Sequence, residues 1–80
     1  MPADARALVE LMAKALTDKP AEIEIDAFDD GPEHVVELGV AEDDMGRVIG
    51  KSGRTARALR TILGAAGRKA DKQFVLDILD

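Results

Sequence analysis

The chain has 80 residues, enough for one domain with a modest core, because a chain this short buries only about 60% of the surface its unfolded form exposes. Hydrophobic residues make up 46% and charged residues 34%, which excludes a disordered tail, and the size excludes most enzymes with large enclosed pockets. The lack of cysteine excludes disulfide scaffolds, thiolate-held zinc and thiol catalysis, while a net charge of −5 argues on its face against a polyanion binder.

Asp4 and Glu10 interrupt the apolar N-terminal stretch, which argues against a signal or transit peptide. No apolar run approaches the roughly 20 residues that span a bilayer, so a cytoplasmic location is expected. Pro2 and Asp4 suit a helix start, and Ala5, Leu8, Val9, Met12, Ala15 and Leu16 recur at helical spacing. Asp18, Lys19 and Pro20 end that helix. Ile23, Ile25 and Ala27 alternate with acidic residues, predicting a half-buried strand over 22–28. Asp29, Asp30, Gly31 and Pro32 read as a turn. His34, Val36, Leu38 and Val40 alternate again, predicting a strand over 33–40. Asp43 or Asp44 suits the cap of a short helix over Met45–Ile49. A longer helix follows the Gly50–Gly53 interruption, with Ala56, Leu59, Ile62 and Leu63 inward and Gly64 and Gly67 at its end. Phe74, Leu76 and Ile78 alternate in a closing strand. The order is α-β-β-α-α-β, an α+β fold in which helices cover one face of a three-stranded sheet, with residues 1–80 as one domain.

The charge is unevenly spread. Residues 1–46 hold three basic and thirteen acidic side chains, whereas residues 47–72 hold eight basic ones and only Asp71. A basic segment in an acidic chain reads either as a local anion site or as a solvated helix face. Within it, Gly46-Arg47-Val48-Ile49-Gly50-Lys51-Ser52-Gly53-Arg54-Thr55 puts a tight Gly-x-x-Gly turn between two helices. The second helix begins there, so its free amides and positive dipole end point outward, and phosphate is the natural guest. Lys51 and Arg54 add charge and Ser52 a hydroxyl; the plainer alternative is a corner in which glycine merely turns the chain. A P-loop would need glycine at position 45, which is Met45, and a buried strand where Glu42, Asp43 and Asp44 stand.

The segment Val48-Ile49-Gly50-Lys51-Ser52-Gly53 resembles the signature of the KH domain, and the element order resembles its type II arrangement. The phrase GRVIGKSGRTARALRTIL and the chain length are similar to the small bacterial KH proteins of the KhpA (YlqC-like) family, with Ala56 standing where the pattern usually has a larger aliphatic residue. The resemblance implies a groove for single-stranded RNA, or sometimes DNA, in which Gly50, Lys51, Ser52 and Gly53 clamp the backbone of about four nucleotides. It implies that Val48 and Ile49 lie under the bases, opposite Leu38–Val40, and that Arg47, Arg54 and Arg57 meet phosphates or base edges. Ile49 reads equally well as a buried helix residue, and Arg60, Arg68 and Lys69 as a solvated face. The resemblance also implies a homodimer, or a heterodimer with a Jag/EloR-type KH protein, and a role as RNA chaperone or post-transcriptional regulator linked to cell elongation and division.

Composition limits the mode of base contact. Phe28 and Phe74 are the only aromatic residues, and both read as core, so an aromatic stacking platform is excluded. His34 reads as structural rather than as a metal ligand, and no catalytic constellation emerges, so neither enzymatic activity nor a cofactor is expected. The competing reading is a protein-interaction subunit whose RNA contact is secondary.

Overall fold

Asp4 opens the first helix, as its position predicts: its carboxylate accepts a hydrogen bond from the Ala7 amide at 3.1 Å. The computed structural model describes residues 4–80, and Pro2, expected at the helix start, lies outside the described residues. Helix α1 (Ala5–Leu16) buries Val9 and Ala13 and packs Leu8, Met12 and Leu16 beside them. Thr17 closes it, both its amide and its hydroxyl bonding the Ala13 carbonyl.

Strands β1 (Glu24–Asp30) and β2 (Glu33–Gly39) form an antiparallel hairpin, with Glu24 opposite Gly39 and Asp30 opposite Glu33. Asp29 and Asp30 are therefore strand residues, not turn residues. Pairing continues until Gly31-Pro32 closes a two-residue loop, which fits the twist of the hairpin. Strand β3 (Gln73–Ile78) pairs parallel to β2, with Val36 opposite Leu76 and Leu38 opposite Ile78. The sheet order is β1-β2-β3, so β2 is central.

Helices α2 (Met45–Ile49) and α3 (Arg54–Lys69) complete the α-β-β-α-α-β order. Val9, Val36, Leu38, Val48, Leu63 and Leu76 meet in one core, each at most 4% exposed. The 16 residues of α3 run through Gly64 and Gly67 rather than ending there. A Cβ on Gly67 would lie 2.8 Å from the Lys72 carbonyl oxygen and 3.1 Å from the Phe74 amide, so this glycine lets the entry to β3 cross the helix closely. Ile62 is 48% exposed instead of inward. The buried stripe runs Ala56, Leu59, Leu63, Gly67, at steps of three and four, and Ile62 stands one residue off it. Phe28 is 43% exposed, not core, because it shares the outward phase of β1 while Ile25 takes the inward one.

Candidate nucleic-acid interface

The corner between α2 and α3 is built from backbone. Gly50 has φ +76°, and a Cβ there would sit 2.2 Å from Thr55 Oγ1 and 2.8 Å from the Thr55 amide nitrogen. Only glycine fits without displacing the first turn of α3. Lys51–Gly53 then form a single 3₁₀ turn, in which Ser52 is left-handed (φ 57°, ψ 27°) and Gly53 likewise (φ 73°, ψ 14°). The Gly50 amide donates to the Gly46 carbonyl at 2.8 Å and the Gly53 amide to the Gly50 carbonyl at 3.1 Å. Gly53 occupies the cap position of α3 without a side chain to cover the helix end. The positive end of a 16-residue helix thus opens beside an exposed backbone corner.

Lys51, Ser52, Arg54 and Arg57 are all exposed around this corner. Among the described residues, no ion pair involves Lys51, Arg54 or Arg57. Arg47 differs. Its Nη1 lies 2.5 Å from Asp18 Oδ2 and 2.9 Å from Asp44 Oδ1, and these hydrogen-bonding carboxylates hold its guanidinium above its ordinary pKa. Arg47, expected to meet phosphate, thus already has two carboxylate partners through Nη1, while its side chain stays half-exposed. Arg60, exposed as expected, also donates to the Leu76 carbonyl and braces α3 against β3.

The apolar assignments also shift. Val48 is fully buried within the core cluster, so it faces no base. Ile49, one position on, is half-buried and borders the corner. Leu38 lies at 0% exposure on the central strand, while Gly39 and Val40 of the expected opposite wall are half-open. Alternation places Leu38 inward along with Val36, and α1 and α3 cover that face.

Asp44 is the residue whose role the sequence concealed. It was expected as a helix cap, yet it makes no capping bond to α2. Its fully buried carboxylate instead accepts from the backbone amides of Asp18 and Lys19, both at 3.0 Å, and from Arg47. Those amide bonds, the Asp18 one foremost, hold its carboxyl below the usual carboxylate range against the opposing effect of burial. Lys19 reaches Asp43 at 2.7 Å, and this hydrogen bond raises its pKa. The turn after α1 is thereby tied to the start of α2, which fixes where the glycine corner stands. An Asp run before a helix gives no signal that separates this tie from an ordinary cap.

His34 pairs with Asp29 across the hairpin and meets the Phe74 ring edge-on at 5.8 Å. Among the described residues, no group of three or more His, Cys, Asp or Glu side chains is arranged to hold a metal. An open cleft of about 520 Å³, lined by Arg6, Phe28, His34 and Lys72 among others, lies at the end of the sheet away from the corner. Among the described residues, no helix is long and apolar enough to cross a membrane.

The family model for the KhpA/KhpB KH domain matches residues 6–78. The chain belongs to this family. It is similar to the protein named RNA-binding protein KhpA from Halalkalibacterium halodurans, with 48% identity over 94% of this chain and 99% of that one. The proteins of the same name from Aquifex aeolicus (48% identity, 91% and 92% of the two chains) and Borreliella burgdorferi (40%, 91% and 89%) are also similar. Among solved structures, a point variant of Aquifex aeolicus Era bound to GDP and AlF4− superposes with TM-score 0.63. The match covers 98% of this chain and 31% of that one at 18% identity, so it bears on the fold alone. The KH membership agrees with the signature at Val48–Gly53 and with the α-β-β-α-α-β order of this KhpA/KhpB-family chain.

Proposed function

We propose that this chain binds single-stranded RNA without catalysing a reaction, clamping the backbone of about four nucleotides at the Gly50–Gly53 corner. The observation that carries this reading is the corner itself: a glycine-dependent backbone turn against an uncapped helix end, ringed by Lys51, Arg54 and Arg57, with no ion pair to any of the three among the described residues. Phosphate oxygens meet the helix end and these cations, and the Ser52 hydroxyl supplies a further donor. Ile49 offers aliphatic contact to a base, while Val48 beneath it anchors α2 in the core. Arg47 acts through position, holding α2 to the turn after α1. The curated relatives are named RNA-binding proteins, which supports the same reading. Binding of so short a footprint is weak, and useful affinity calls for a second module. We place the protein in the cytoplasm, as an RNA chaperone or post-transcriptional regulator linked to elongation and division.

A second reading makes the chain chiefly a subunit that pairs with itself or with a Jag/EloR-type KH protein. It is favoured by Ile62, 48% exposed on α3 between the exposed Ala58 and Ala65.

Replacing Lys51 and Ser52 together by Asp tests the first reading. Both residues are exposed, and Asp tolerates the left-handed conformation of Ser52, so the melting curve should stay within a few degrees of the parent. Affinity for a fluorescent oligouridine should fall at least ~10-fold by phosphate repulsion. For the parent, three phosphate contacts give a slope of log K against log salt of about −2. Undiminished binding of the double variant at low salt would sink the clamp, and a slope near zero would favour the subunit reading.

A further inference from the structure

The face of the sheet turned away from the helices carries a pattern that RNA binding does not use. The register aligns Phe28, Val35 and Val75 in one row across the three strands. Two residues along each strand, roughly 7 Å away, Asp26, Glu37 and Asp77 form a second row. On the other side, Asp30 and Glu33 form a third with Gln73. An apolar line therefore lies between two lines of carboxylates. None of Phe28, Val35 and Val75 belongs to the core cluster, and among the described residues no Lys or Arg stands on any strand, Arg6 and Lys72 reaching only the cleft at one end of the apolar row. Val35 is 8% exposed, sheltered in the middle of its row, whereas Phe28 stands 43% exposed on the edge strand.

Acidic side chains on an open sheet often serve only to prevent edge-to-edge aggregation. That purpose would not place a part-exposed aromatic residue between the acids. An apolar row framed by carboxylates repels nucleic acid and complements a polypeptide in which an apolar side chain stands between cations. In an extended strand, residues i, i+2 and i+4 stand on one face at this same ~7 Å spacing.

We propose that this face docks a basic segment of a partner protein, with the Phe28–Val35–Val75 row taking its apolar side chain and the flanking carboxylates its Lys or Arg side chains. The surface shares no residue with the glycine corner, so both can be occupied together and the two readings fail separately.

The test is an NMR titration of the full, nitrogen-15-labelled chain with the peptide acetyl-Ser-Lys-Ser-Phe-Ser-Lys-Ser-amide, whose extended form puts Lys, Phe and Lys on one face. Saturable shifts should concentrate on outward residues of β1, β2 and β3, with or without bound oligouridine. Phe28→Ser should weaken peptide binding about tenfold. The pair Asp26→Lys and Asp77→Lys, which leaves the apolar row intact, should weaken it at least as much. Both variants should retain oligouridine affinity, which also reports that they are folded. Shifts spread over Asp4, Glu10 and the Glu42–Asp44 turn would overturn the proposal. Unchanged peptide affinity in Phe28→Ser would overturn it too, as would oligouridine shifting the same sheet residues.

Discussion

One added carbon at Gly50 would strike three atoms of Thr55, and the positive φ there would strain any residue bearing a Cβ. The Gly50→Ala variant should therefore lose RNA affinity at least ~10-fold and some stability, since the corner must open to admit the methyl group. Retained affinity with an unshifted Thr55 amide resonance would count against the backbone reading. Asp44 makes a different demand. Its carboxyl is held below the ordinary range, so its contribution to stability is complete above the unfolded value near 4 and is lost as pH falls through the lower folded value. D44N should melt on the order of 10 °C below the parent at pH 7, because an amide nitrogen would then face backbone donors. Scans at descending pH should show that gap closing below about pH 4. A gap of equal size at pH 3 would mean that Asp44 acts by shape, not charge. The sequence exposed Gly50 readily, through its spacing from Gly53, but it hid Asp44, whose backbone-amide partners are 25 and 26 residues away.

Among the elements, α3 best separates what periodicity reveals from what packing decides. Its inward residues Ala56, Leu59 and Leu63 were legible from their spacing, whereas its end was not. Two glycines within four residues resemble a helix stop, yet tertiary contacts carry the helix through both. The two positions should respond oppositely to alanine. At Gly64 the new Cβ meets only Arg68 Nη1 at 3.7 Å, so Gly64→Ala should stabilise by about 0.5–1 kcal/mol through helix propensity. At Gly67 it collides with backbone at the entry to β3, so Gly67→Ala should destabilise by about 1–3 kcal/mol despite the same propensity gain. Chemical denaturation of both variants checks the pair, and equal signs would refute the close crossing. The hairpin offers a parallel lesson. Asp29 and Asp30 carry turn chemistry, but cross-strand pairing with His34 and Glu33 holds them in β1.

Across the whole molecule, charge is divided by surface as well as by sequence. The basic segment supplies the corner and the exposed side of α3, and the acidic residues of the hairpin and of β3 form the open sheet. A net charge of −5 is thus compatible with a local anion site, since phosphate approaching the corner meets Lys51, Arg54 and Arg57 first.

Local pattern alone determined the order of elements, the inward phase of most of them and the glycine corner with its exposed cations. Those features depend on neighbours a few residues apart, through helical spacing, strand alternation and backbone sterics. Tertiary structure alone decided that Arg47 is bound by carboxylates, that Val48 and Leu38 are core, and that Phe28 faces outward. Each of these outcomes depends on which distant segment covers a side chain, and burial and ion pairing are properties of that packing.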